Sequence, residues 1–398
     1  MDEIRSAVEK YNAFGYRLFM DTPVFRRVLA LRNRAFRKKL LLVNLRDSAI
    51  NAHMERAFVR AVSAEKTCAL DVFHSFAHNY AFAGTGNASG FRIKYSGMDN
   101  LRSFAGLTEY SAVIVLDLPY RDEELPAWLW FAFRAGGEKH FIANDNLMAP
   151  GSIFAMDMAE RLKALSAFDT ATVVDQHDFA QWGRFGAPGR FINRPLAVDC
   201  EYYSPRTGKP GNYILSFGRA DRDYAPLFDA AKDFPRGLKL KVFTDLPVKV
   251  PPGLSGRAEV LFCPPAPDRM RELLAGAALV VLPVRTTPPN PGAGLLSSLL
   301  SMAMGKITVT RGNPVVAGYL SDGRDSFLYK ALTPAAISAC VRRALAAGPA
   351  AARIRRAARE TALSRFDMNS FAANFVKARL RPRRGGASAR PPVPGARR

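Results

Sequence analysis

The chain is 398 residues long and carries 57 Lys and Arg against 35 Asp and Glu, a formal net charge of +22. A composition 48% hydrophobic and 23% charged excludes wholesale disorder, and at roughly 100–200 residues per domain the length calls for two domains, each with its own core. Four dispersed cysteines (Cys68, Cys200, Cys263, Cys340) argue against a disulfide framework or zinc knuckle, and no apolar run reaches the roughly 18 residues of a membrane span. The Met-Asp-Glu opening is not that of a secretory leader, so a reducing, cytoplasmic setting is expected.

Residues 1–38 are predicted to form a basic helical extension. Val24, Val28, Leu31 and Ala35 recur at helical spacing after Pro23, with arginines and lysines filling the remaining positions. Residues 1–40 carry a net +6 and residues 377–398 a net +8, leaving +8 for everything between. Two readings of these ends stay open: solubilising segments, or attraction to a polyanion such as an anionic membrane surface at about 1 kcal/mol per basic residue. Nucleic acid is the weaker partner, because neither zinc-finger spacing nor an aromatic RNA-binding signature accompanies the charge.

From residue 39 short apolar runs alternate with helical stretches. Leu40–Leu45, Cys68–Phe73, Ala112–Leu116, His140–Ala143 and Thr170–Val174 are the strand candidates of the first half, continuous enough to be buried on both faces of a parallel sheet. The apolar signal stops at Asp199–Gly211, which reads as a linker. Tyr213–Phe217, Leu240–Phe243, Val260–Phe262, Ala278–Leu282 and Ile307–Thr310 continue the series. The predicted fold class is α/β, with two doubly wound Rossmann-like units over 39–198 and 199–363. A closing helix at 364–380 and a disordered basic tail at 381–398 complete the expected organisation.

Two stretches carry the chemistry. In 213–231 (YILSFGRADRDYAPLFDAA) a strand runs into Gly218, where a ligand could approach the backbone, with Arg219 and Arg222 placed to clamp a diphosphate. An arginine paired instead with Asp221 or Asp223 is the structural alternative. In 290–311 (NPGAGLLSSLLSMAMGKITVTR) a tight turn through Gly294 opens a helix whose N-terminus, with Ser297 and Ser298 as hydroxyl donors and Asn290 just ahead, forms a second anion site. Gly305 caps that helix. His74 and His78 stand four apart, but no third ligand accompanies them and no metal is predicted.

The order and spacing of these pieces resemble the nucleotide-binding half of family-4 retaining glycosyltransferases of the GT-B fold. Leu300–Thr308 (LSMAMGKIT) is similar to that family's Glu-Ala-Met-Ala-x-Gly-Lys-Pro-Val helix, Gly318–Tyr329 to its Asp-Gly-x-x-Gly segment, and Phe191–Pro205 to its interdomain Pro-x-Gly-Val-Asp stretch. The resemblance implies two Rossmann-like domains facing across a cleft, with the acceptor held by the first. It implies a UDP- or GDP-sugar donor on the second, bound by Gly218, Arg219, Arg222, Asn290, Gly294, Ser297 and Ser298, and no further cofactor. It also implies a catalytic group after a first-domain strand, either Asp117 or His74, while the basic ends suggest a glycan or lipid-linked acceptor at the inner membrane face. Where the family carries two glutamates this chain has Leu300 and Gly292, with Asn290, Ser297 and Ser301 as the nearby polar substitutes. A catalytically silent binding or scaffold protein of the same fold, and a polyanion-binding protein, are the rival readings.

Overall fold

The computed structural model describes residues 38–44, 49–64, 68–74, 110–116, 137–142, 165, 168–174, 191–206, 211–218, 221–244, 246–262, 267–285 and 292–380. The expectations for the basic extension (residues 1–37) and the tail (381–398), and the candidates Asp117, Arg219 and Asn290, lie outside these residues.

Strands β1 (Lys38–Asn44), β2 (Cys68–His74), β3 (Ala112–Leu116), β4 (Glu138–Ile142), β5 (Thr170–Val173) and β6 (Phe191–Asn193) form one sheet, with helix α1 (Ala49–Ser63) between the first two. Its order is β2-β1-β3-β4-β5-β6 and every pairing is parallel. The central strands are apolar along their length because both faces are covered: Leu40–Leu42 and Ala112–Leu116 are all buried. β4 begins two residues earlier than its pattern suggested. β6, three residues long, is too short to announce itself.

The second sheet comprises β7 (Tyr213–Phe217), β8 (Lys239–Thr244), β9 (Ala258–Phe262), β10 (Leu279–Leu282), β11 (Thr308–Arg311) and β12 (Phe327–Tyr329), again wholly parallel. Its order is β12-β11-β10-β7-β8-β9. The helices of this half are α2 (Ala225–Ala231), α3 (Pro267–Gly276), α4 (Leu295–Ala303), the single turn α5 (Pro314–Ala317), α6 (Pro334–Leu345) and α7 (Ala350–Arg365). A last helix, α8 (Met368–Leu380), returns to the first sheet. Its Met368, Ala372 and Val376 share one core with Leu40, Leu42, Met54, Phe58, Ile114 and Leu116.

The stretch read as a linker joins the two sheets and is anchored at its start. Val198, Asp199 and Cys200 are buried. Val198 exchanges backbone hydrogen bonds with Phe366 and Met368, tying the connection to the α7–α8 junction. The Asp199 carboxylate accepts from Arg56 Nε at 3.2 Å, Arg60 Nη1 at 2.9 Å and Asn369 Nδ2 at 2.9 Å, and from the Tyr202 and Glu201 N–H groups. Burial alone would raise its pKa, but Asn369, the Tyr202 N–H and the two guanidinium groups outweigh it and hold the carboxyl below its usual value. Polarity here marks an ion-pair junction that has no hydrophobic signature. Next to it the Tyr202 ring lies between Arg56 of α1 (3.9 Å from its centroid) and Arg271 of α3 (4.2 Å), while its hydroxyl donates to Asp268. On another part of the seam Tyr319 donates to the Val174 carbonyl, accepts from the Leu196 N–H at 2.9 Å and stacks on Phe366.

Lys306 joins two helix ends. Its ammonium donates to the carbonyls of Ala275 (2.7 Å) and Ala277 (3.0 Å) at the C-terminus of α3. Burial, with Arg355 nearby, pulls its pKa down to about 8. An unfolded lysine titrates near 10.4. Between these values the unfolded chain binds the extra proton, so stability is expected to rise as pH climbs from about 8 toward 10. Urea unfolding across that range reads the rise, and Lys306→Met is expected to flatten it. Above about 10 the buried phenol of Tyr203, pushed up to about 12, acts in the opposite direction.

Candidate functional site

The chain lays down β7, β8 and β9 in one direction, and β10 then returns to the other side of β7. In open α/β sheets ligands bind where the order reverses, outside the carboxyl ends of the two strands. Those ends are Phe217 and Leu282. Residues 218 and 221–223, the segment Pro283–Arg285 and the N-terminus of α4 converge there, and the first two are joined by a bridge between Arg222 and Val284.

Two glycines shape the cradle. Gly218 has φ +107°, and a Cβ there would lie 2.7 Å from Arg222 Nη2. Gly294, in the left-handed region at φ +86° as the N-cap of α4, would set a Cβ 2.7 Å from Val284 Cγ2. A side chain at either position meets both backbone strain and a collision. The Gly218 carbonyl is held from below by Thr244 Oγ1 (3.0 Å) and the Tyr224 hydroxyl (2.5 Å). Tyr329 locks the other strand end, donating to the Leu282 carbonyl at 2.8 Å and accepting from the Val284 N–H at 3.2 Å. Neither Tyr224 nor Tyr329 stood out in the sequence, because each acts on backbone atoms that only the fold brings near.

Arg222, read in the sequence as a diphosphate clamp, is only 9% exposed in the fold. Its Nε donates to the Phe217 carbonyl (3.1 Å) and its Nη2 to Ser297 Oγ (2.9 Å), so the planar guanidinium spans the Gly218 turn and the first turn of α4. Desolvation lowers its pKa from the ordinary arginine value, but a guanidinium stays charged at physiological pH. A fixed positive charge therefore sits beneath two glycine turns, beside the positive end of a nine-residue helix. The Asp223 carboxylate is occupied by Arg285 at 3.0 Å, and the Asp221 carbonyl by the Arg285 N–H.

The serines divide. Ser297 bonds Arg222, whereas Ser298, read in the sequence as a hydroxyl donor to the ligand, is buried and returns its hydroxyl to the Gly294 carbonyl (3.0 Å). Ser301 is likewise buried and bonded back to the Ser297 carbonyl. Helix-interior serines satisfy themselves this way when the neighbouring face is packed. Leu300 packs against the core, so the position where the resembled family has its glutamate offers no acceptor.

The first sheet has its own reversal between β1 and β3, whose carboxyl ends are Asn44 and Leu116. Asp117 follows Leu116 directly in sequence. His74 is the last residue of β2, in register with Asn44, and so lies at the sheet's edge one strand from the reversal. Cys200 has its thiol pushed up to about 12 by burial and offers no nucleophile. Among the described residues no group of three metal-binding side chains assembles.

No protein-family model and no curated protein sequence matches this chain. Solved structures do match in fold. HepE of Anabaena in complex with UDP superposes with a TM-score of 0.62 at 14% identity, over 86% of this chain and 99% of that one. A glycosyltransferase of Rickettsia africae gives a TM-score of 0.62 at 12% identity over 86% and 97%. Sucrose-phosphate synthase of Thermosynechococcus elongatus gives 0.60 at 12% over 86% and 98%. At such identities the likeness establishes the architecture: two Rossmann-like units with parallel sheets, the GT-B fold.

Proposed function

We propose that the chain is a glycosyltransferase that takes its sugar from a nucleoside diphosphate donor. The observation that carries this reading is the buried Arg222 charge beneath the Gly218 and Gly294 turns, at the order reversal of the second sheet. A diphosphate resting on those turns would meet backbone N–H groups, the α4 helix end and a pre-oriented positive charge, the arrangement that stabilises a departing nucleoside diphosphate. Arg219, next to Gly218 in sequence, adds a second guanidinium to the same reading. The fold relatives accord with it: HepE was solved with UDP and with UDP-glucose.

The finer assignments follow from the sequence resemblance. The donor is a UDP- or GDP-sugar, transfer retains the anomeric configuration as in family 4, and a glycan or lipid-linked acceptor sits over the first sheet's reversal near Asp117 or His74. Catalysis would rest on positioning and electrostatics, with no cofactor beyond the donor. The setting is the cytoplasm, at the inner membrane face. One observation favours a second reading, a nucleotide-binding protein without turnover: Leu300 is packed into the core and Ser298 and Ser301 are turned back on their own helix, so none of them can grip a ribose or a sugar.

Calorimetry with UDP and GDP, followed by hydrolysis assays on a panel of sugar nucleotides, tests both. One nucleotide is expected to bind and its sugar to be released. Binding without turnover of any donor selects the second reading, and failure of both nucleotides to bind ends the first and the second together.

A further inference from the structure

Much of the net charge between the basic ends lies on two successive helices. Residues 334–365, which span α6 and α7, hold seven arginines and one acid, Glu360, a net +6 out of the +8 carried by residues 41–376. The buried side of α7 is Ile354, Ala358, Thr361 and Ala362. Ala352, Arg353, Arg356, Glu360 and Leu363 are exposed at spacings that put them on one outward face. Arg342 and Leu345 are exposed at the end of α6, one short turn away. Of the seven arginines, Arg343 is paired with Asp322, and Arg359 and Arg365 donate to backbone carbonyls. Leu345 (37% exposed) and Leu363 (43%) are two of the three large hydrophobic side chains left exposed among the described residues.

We propose that the outward face of α7, with the end of α6, docks on an anionic lipid surface. Arginine suits lipid phosphates because its planar fork donates two parallel hydrogen bonds and is weakly hydrated. Its aliphatic stem can lie along the acyl boundary while the charge stays at the headgroups. The two leucines discriminate between polyanions. A bilayer rewards their insertion, whereas nucleic acid rewards stacked aromatic rings, and residues 334–365 contain none. No helix among the described residues is long and apolar enough to cross a membrane, so the contact is a surface one. The inference deepens the membrane-side reading of the acceptor and is independent of donor chemistry.

The test is co-sedimentation of the full chain with vesicles of phosphatidylcholine alone or mixed with phosphatidylglycerol. The wild type is expected to bind the mixed vesicles selectively. Arg353→Glu with Arg356→Glu is expected to weaken that binding about tenfold or more, given the contribution of each basic residue near such a surface. Leu345→Ser with Leu363→Ser should weaken it severalfold while leaving binding to heparin intact. All four positions are exposed, so the melting temperature should hold, and UDP or GDP calorimetry on the same variants should match the wild type whatever the fate of the donor-site reading. Vesicle binding unchanged in the arginine variant overturns the proposal. It is equally overturned if the leucine variant binds vesicles like the wild type while the arginine variant loses vesicles and single-stranded nucleic acid alike, which identifies a soluble polyanion as the partner.

Discussion

Replacing Asp199 by alanine is expected to cost about 3–5 kcal/mol of stability, the range for removing one partner of a buried ion pair. The carboxylate is fully buried, and its loss leaves the Arg56 guanidinium, 3% exposed, without its counter-charge. Asn369 and the N–H groups of Glu201 and Tyr202 lose their acceptor at the same time. Asp199→Asn keeps the shape but removes the charge and turns donors toward donors, so it should recover only part. The junction also fixes a pH dependence. Because the folded-state pKa of Asp199 lies below its unfolded value, the contribution is fully present above the ordinary aspartate range and is lost as pH falls through the folded value. Urea unfolding of wild type and variant at neutral pH and below about pH 4 measures both effects. The two proteins should converge in acid, and a variant within about 0.5 kcal/mol of wild type at neutral pH would show that the junction carries no net stability.

Arg222→Ala should strike stability and nucleotide binding together. Truncation removes the donors that hold the Phe217 carbonyl and Ser297 Oγ and empties the space between two glycine turns. A loss of about 2–5 kcal/mol is expected, as for large buried side chains cut to alanine. Affinity for UDP or GDP should fall about ten- to a hundredfold, since hydrogen bonds to a charged group are worth about 1.5–3 kcal/mol each. Arg222→Lys keeps the charge but cannot bridge both acceptors in one plane, so it should restore more stability than affinity. Chemical denaturation paired with calorimetry separates the two quantities. Unchanged affinity in a destabilised alanine variant would make the guanidinium a purely structural tie and would remove the observation on which the donor site stands.

The strands were legible because parallel sheets covered on both faces demand continuous apolar runs, and Leu40–Leu42 and Ala112–Leu116 are such runs. The site's glycines were legible too, since Gly218 and Gly294 follow a strand end and precede a helix, where only a residue free of Cβ fits. Arg222 was found but misjudged. Its burial depends on Ser297, 75 positions away, and no local pattern reports a partner at that distance. The Ser298 hydroxyl was not seen to turn back on its own helix, where the Gly294 carbonyl lies at helix spacing. Asp199 hid inside a polar stretch because ion-pair anchoring and an ordinary linker share a composition. The three-residue strands β6 and β12 were too short for any periodicity to register.

The route of α8 bears on how the polypeptide is made. The apolar side of β1 and α1 is completed by Met368, Ala372 and Val376, and Phe58 meets Phe371 and Phe375 edge to face. During synthesis from the N-terminus those partners emerge only after the whole second sheet. The second half can close its core while the first still shows water a patch of leucine, methionine and phenylalanine. The nascent chain therefore passes through a stage with a finished half and a sticky one. Chaperone dependence, and aggregation of products that stop short of residue 368, should concentrate at that stage.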